Sequence, residues 1–222
     1  MSLENELDNL GKESVVASQE IKSLSKHEKN ELLKAIIESL KNDKDLILKA
    51  NKRDIEESQN KLSNAMIDRL MLDDQRFEGI LESIKNVISL DDPTGNILFT
   101  NERPNGMIVE RVSVPLGVIG IIYESRPNVT IDATVLCLKA GNSVILRGGS
   151  ECFNTNTAMV NSMQKAMRSK SVSENIVQYV NTTDRAAVDY MLSKMDKYID
   201  VIVPRGGKGL VKKVQDTAKI PV

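Results

Sequence analysis

From residue 116 onward the chain repeats one pattern: a short, unbroken apolar run followed by a stretch with helical periodicity. The runs fall at 118–122, 144–146, 176–180 and 201–203, and the helical stretches near 130–139, 155–168, 185–194 and 209–214. A strand that is apolar on both sides has no face to offer to water, so it must lie between two layers of helix. The pattern therefore predicts an α/β chain with a doubly wound parallel sheet of the Rossmann, nucleotide-binding type. Sheets of this kind bind ligands beyond the carboxyl ends of their strands, which directs the search for chemistry to 123–128, 147–152, 181–184 and 204–209.

The residues before this region read differently. Leu32, Leu33, Ile36, Ile37 and Leu40 recur at helical spacing behind Ser25, an N-cap candidate with Glu28 three residues on, and Phe77, Ile80, Leu81, Ile84 and Ile88 form a second stripe. The first ninety residues are thus expected to be helical. Residues 91–96, Asp-Asp-Pro-Thr-Gly-Asn, break the pattern. Two β-like runs follow, at 97–100 and 107–114, joined by the turn-rich 102–106 and read as a β-hairpin. At 222 residues the chain suffices for one sizeable α/β domain or two small ones.

Charge and composition exclude several functions. Thirty Lys and Arg stand against 31 Asp and Glu, so no excess of positive charge draws the chain to nucleic acid, and three Phe, four Tyr and no Trp leave few platforms for stacking bases. The N-terminus MSLENELDNLGKES lacks an apolar signal core, and no stretch approaches the ~18 apolar residues of a membrane span, so a cytoplasmic protein is expected. Two cysteines make no disulfide framework. A single histidine, His27 in a charged helix start, argues against a metal centre.

Three strand ends carry candidate sites. Arg205, Gly206, Gly207 and Lys208 form a glycine-rich turn into a helix, suited to an anion but equally to an ordinary turn; Gly209 stands where a P-loop needs Ser or Thr. Arg147, Gly148, Gly149, Ser150 and Glu151 form a second loop, in which Arg could hold a phosphate and Glu accept from ribose hydroxyls; the plain alternative is a surface salt bridge. The third is the polar cluster Tyr123, Glu124, Ser125, Arg126, Pro127 and Asn128, where Asn128 reads as a helix cap or an oxyanion donor. Cys137 lies on an apolar helix face and reads as core. Cys152, beside an expected helix start, is a physically allowed nucleophile.

The segment VPLGVIGIIYESRPNVTIDATVLCLKAGNSVILRGGSE, residues 114–151, resembles the gamma-glutamyl phosphate reductase (glutamate-5-semialdehyde dehydrogenase) family of the aldehyde dehydrogenase superfamily. The resemblance extends to YIDVIVPRGGKGLV and back to DRLML and ILKANKRDI. It implies an aldehyde-dehydrogenase-like fold and NADPH-dependent reduction of gamma-glutamyl phosphate to glutamate 5-semialdehyde in proline biosynthesis, by a cytoplasmic homo-oligomer. It implies a helical part of the cofactor domain at 1–95, a hairpin and dinucleotide-binding core at 96–222, and a catalytic domain, with the nucleophilic Cys, beyond Val222.

By the same resemblance Cys152 is not the nucleophile, and this chain alone is expected to be inactive. Arg147, Gly148, Gly149, Ser150, Glu151, Arg205, Gly206, Gly207 and Lys208 face NADP(H), with Arg147 suited to its 2′-phosphate, while Arg126 and Asn128 are substrate-side candidates. The rival expectation is a stand-alone nucleotide-binding or regulatory module of the same fold.

Overall fold

The computed structural model describes residues 2–124 and 126–222. Five helices come first: α1 (Leu3–Ser23), α2 (Lys26–Asn42), α3 (Lys44–Ser58), α4 (Asn64–Leu70) and α5 (Asp74–Ser89). Ser25 and Glu28 form the expected capping box, each side chain accepting from the other residue's backbone N–H. This satisfies two of the donors that a helix start leaves open. The stripes of α2 and α5 are buried, from Leu32 to Leu40 and from Phe77 to Ile84.

Strands β1 (Ile97–Glu102) and β2 (Ile108–Val112) form the expected antiparallel hairpin, with an irregularity between Ile97 and Phe99. Ahead of it, the Lys29 ammonium is buried on α2 and meets Asp92 at 2.7 Å and Thr94 at 3.2 Å. This pins the break at 91–96 to the helical region.

The remainder alternates as anticipated: β3 (Val118–Tyr123), α6 (Pro127–Lys139), β4 (Ser143–Arg147), α7 (Phe153–Ser169), β5 (Val177–Tyr179), α8 (Ala186–Lys194), β6 (Val201–Arg205) and α9 (Lys208–Thr217). The strands are all parallel, in the order β5-β4-β3-β6. The chain starts in the middle at β3, winds outward to β5, then returns to the other side of β3. The order therefore reverses between β3 and β6, and the crevice expected in such sheets opens there.

Two apolar clusters cover the sheet. Ile119, Ile121, Val144 and Leu146 face α2, α5, α6 and α7, whereas Val118, Ile122, Ile145 and Ile202 face α8, α9 and Leu7 of α1. Successive side chains along β3 and β4 enter opposite clusters, as the two-residue repeat of a strand requires. The N-terminal helices thus share a core with the sheet. No helix among the described residues is long and apolar enough to cross a membrane, and these residues hold no group of three or more His, Cys, Asp or Glu arranged for a metal ion.

Candidate functional site

The crevice forms where β3 and β6 end side by side, with Tyr123 in register with Arg205. Beyond that pair the Glu124 backbone N–H donates to the Arg205 carbonyl at 3.2 Å, and the Glu124 carboxylate accepts from the Gly207 N–H at 2.7 Å. The carboxylate thus sits on the start of α9. Gly206 permits the approach, because a Cβ there would lie 2.6 Å from Glu124 Oε2. Glu124 lines two clefts and forms a wall between them.

The larger cleft, about 470 Å³, is lined by Glu124, Arg147, Gly149, Ser150, Glu151 and Thr183, with Arg185, Gly209, Leu210 and Lys213 among the residues opposite. It draws on the segments after β3, β4 and β5 together with α9, and its size falls in the range of small-ligand sites. Ser150 and Glu151 lie in a single 3-10 turn, and the Glu151 carboxylate folds back over Gly149. Gly148 is held against the interior, where a Cβ would lie 2.2 Å from Asn156 Nδ2 and 3.1 Å from the Tyr123 ring. Beneath the loop runs a buried chain of hydrogen bonds. Tyr123 Oη meets Thr130 Oγ1 at 2.7 Å, Thr130 donates to Asn156 Oδ1 at 2.7 Å, and Asn156 donates to Cys152 Sγ at 3.1 Å.

That chain settles the chemistry of the thiols. Cys152 is fully buried, and its sulfur also donates to the Gly149 carbonyl at 3.4 Å. Burial, reinforced by the Glu151 charge, pushes its thiol up to about 12, and burial alone does the same to Cys137. Neither forms a thiolate near neutral pH. The helix start beside Cys152 is filled as well: the Asp54 carboxylate accepts from the backbone N–H groups of Asn154 at 3.1 Å and Thr155 at 2.7 Å. A thiol-activating, open helix terminus is thus replaced by one already capped from α3.

Arg147 departs from the expectation of a guanidinium turned to a phosphate. The side chain is buried and donates to the carbonyl oxygens of Gly148, Thr183 (3.1 Å) and Asp184 (3.4 Å). It ties the end of β4 to the loop after β5. The next residue along that loop, Arg185, lines the same cleft, is exposed and makes no ion pair among the described residues; Lys213 across from it is paired with Asp189 at 2.7 Å.

The smaller cleft, about 330 Å³, is lined by Met66, Arg69, Glu124, Arg126 and Val129 together with Arg205, Gly206 and Gly207. Arg126 occupies the N-cap of α6 and Pro127 its first turn, so Asn128 is not the cap. Instead Asn128 donates to Asp132 at 3.0 Å and lines a third cleft against α5, which shares Arg69 and Arg126 with the smaller cleft. Lys208 is exposed at the first position of α9. Ser125, the remaining member of the polar cluster, lies outside the described residues. His27 is exposed.

The residues singled out from the sequence divide between the two clefts, Gly149, Ser150 and Glu151 in the larger and Arg205, Gly206 and Gly207 in the smaller, while Arg69, Arg185 and Lys213 were missed. Arg69 belongs to the quoted DRLML segment, and Arg185 directly follows a strand-end segment already singled out; both were legible as residues but not as neighbours of the crevice.

Comparison with known proteins gives the family and the fold. The profile of the aldehyde dehydrogenase family matches residues 3–221. A gamma-glutamyl phosphate reductase of Carboxydothermus hydrogenoformans is 45% identical over 219 residues, covering 98% of this chain and 52% of that protein. One from Bartonella tribocorum is 48% identical, covering 96% and 52%. The chain spans about half the length of the curated relatives it matches. The crystal structure of gamma-glutamyl phosphate reductase from Thermotoga maritima superposes with a TM-score of 0.94 at 38% identity, covering 97% of this chain and 52% of that one. An acetylating aldehyde dehydrogenase from Geobacillus thermoglucosidasius, 17% identical with a TM-score of 0.77, covers 99% of this chain and 45% of its own and shares the fold.

Proposed function

The chain belongs to the aldehyde dehydrogenase family, which implies a nicotinamide cofactor, and from that premise we propose that it binds NADPH for the reduction of gamma-glutamyl phosphate to glutamate 5-semialdehyde. In that reaction the acyl carbon loses its bond to the phosphate oxygen and gains a C–H bond, and phosphate leaves. The same reading makes the whole enzyme a cytoplasmic homo-oligomer of proline biosynthesis. The observation that carries it is the 470 Å³ cleft beside the point where strand order reverses, built from the 147–151 loop, the segment after β5 and the first turns of α9.

The residues present fit the cofactor. Glu151, held over Gly149, accepts hydrogen bonds from ribose hydroxyls, and Arg185 supplies a charge for the 2′-phosphate that distinguishes NADPH from NADH. Arg147 works from behind, fixing the carbonyls of Thr183 and Asp184 and so the position of Arg185. Glycines 206 and 207 bring the backbone of the β6–α9 turn to the edge of the crevice. The cofactor supplies a hydride, and the protein orients it.

An acyl phosphate is reduced through a covalent acyl group on a thiolate. Neither Cys137 nor Cys152 qualifies, since both are buried with raised pKa values. On this reading the stretch of 222 residues is a cofactor-binding part that does not by itself turn over substrate. The reading is tested by titrating it with NADPH and NADH: saturable binding weakened by Glu151→Ala and Arg185→Ala is expected, and binding indifferent to both variants overturns the site. Turnover of gamma-glutamyl phosphate that Cys152→Ser abolishes would overturn the exclusion of that thiol.

A further inference from the structure

The second cleft, which Gly206 and Gly207 line beside the cofactor cleft, has a lining of unusual charge. Arg69 comes from the end of α4, Arg126 from the turn before α6 and Arg205 from the end of β6, so three distant parts of the chain place guanidinium-bearing residues around one space of about 330 Å³. Three other surface arginines are paired, Arg53 with Glu57, Arg76 with Asp68 and Arg168 with Glu174. Arg69, Arg126 and Arg205 make no ion pair among the described residues. The carboxylate that lines the cleft, Glu124, is already engaged by the Gly207 N–H. Three guanidiniums against one carboxylate leave two positive charges, which matches a phosphoryl dianion. Planar guanidinium forks hold such an anion through paired N–H···O contacts.

We propose that this cleft is a phosphoryl-binding site for the acyl phosphate substrate and for the phosphate released from it, separated from the cofactor cleft by Glu124. The choice of a phosphoryl ligand rests on the acyl-phosphate reading above; the existence of an anion site rests on the arginines alone. Because both clefts meet at Glu124, the site sets a phosphoryl group beside the crevice in which the cofactor is bound. A pyrophosphate of the dinucleotide carries the same chemistry, and the test must tell the two sources apart.

Inorganic phosphate is the probe, titrated calorimetrically into the 222-residue chain at ionic strength held constant with chloride. Saturable binding is expected. Each of Arg69→Ala, Arg126→Ala and Arg205→Ala should weaken it about tenfold, the size of one charge-assisted contact. Arg168→Ala, which removes a paired surface arginine, should leave it unchanged. The titration is repeated with saturating NADPH. An unchanged phosphate affinity supports the substrate-side site, whereas mutual exclusion assigns the arginines to the dinucleotide and overturns the proposal. Absence of phosphate binding, or equal losses in all four variants, also overturns it. Intact NADPH binding in that case leaves the cofactor reading standing, and phosphate binding without NADPH binding does the reverse.

Discussion

Every residue of β3 and β4 is buried, whereas all of β2 and all of β1 except Asn101 are exposed. The two pairs are made of similar residues: Val118-Ile119 and Val144-Ile145-Leu146 in the sheet, Ile97-Leu98-Phe99 and Ile108-Val109 in the hairpin. An unbroken apolar run therefore specifies a strand without specifying whether it is covered. Cover is supplied by the segments around it. Each sheet strand is followed by a helix whose apolar stripe lies on the sheet, while no hairpin residue joins either apolar cluster of the described residues. The hairpin leaves Ile97, Leu98, Phe99, Met107 and Ile108 each more than half exposed, so its pairing rests on backbone hydrogen bonds, which alone make a two-stranded ribbon marginal.

The contrast makes its largest prediction for stability. Leu146→Ala, at a fully buried site in the sheet, should cost about 2–5 kcal/mol through lost burial and an unfilled cavity. Phe99→Ala, removing a larger side chain from the hairpin, should stay within about 0.5 kcal/mol. Urea unfolding measures both. A loss for Phe99→Ala comparable to that for Leu146→Ala would mean the hairpin is covered in solution. Hydrogen exchange sharpens the same contrast: amides of β3 and β4 should open only with global unfolding, and those of β1 and β2 by local opening at far lower free energy.

A smaller contrast separates two arginines of one cleft. Arg147→Ala strands the carbonyls of Thr183 and Asp184 and should cost about 1–3 kcal/mol of stability. Arg185→Ala should leave stability nearly unchanged while lowering NADPH affinity about tenfold more than NADH affinity. Thermal unfolding and paired titrations read the two effects. The reverse assignment, with Arg147 controlling the NADPH-to-NADH ratio and Arg185 controlling stability, would return the 2′-phosphate to Arg147.

These pairs also show what could be read in advance. Helical stripes, the Ser25–Glu28 box, the four parallel strands and the hairpin follow from local spacing and capping chemistry, and all are present. That Glu151 and the glycines at 149, 206 and 207 would line clefts was legible because strand ends in such sheets border the crevice. Occupancy was not legible. Whether a helix start is open depends on a carboxylate arriving from far along the chain, and here Asp54 fills α7 from 100 residues away and Glu124 fills α9 from 83. Arg147 misled for the same reason: a guanidinium at a strand end looks available until the β4–β5 register brings the 183–184 carbonyls onto it. Arg69 reaches the crevice only because α4 packs beside it, a tertiary fact with no local trace.

The smallest expected effect lies at the joint between the two regions, where Lys29 holds the turn at 91–96. Burial works to raise the Asp92 carboxyl, but the Lys29 ammonium and the Thr94 donors outweigh it and hold the carboxyl below its ordinary value. A carboxyl lowered in the folded state stabilises above its unfolded pKa, and the contribution is lost as pH falls through the folded value. Asp92→Asn should therefore cost about 1 kcal/mol near neutral pH, a modest figure because the carboxylate is partly open to solvent. The difference from the wild type should shrink as the pH drops below about 4, where the native carboxyl itself becomes neutral. A difference that stays constant through that range would mean that the turn is held by its Thr94 and Asn96 hydrogen bonds rather than by the charge on Lys29. The hairpin would then be fastened to the helical region by geometry alone.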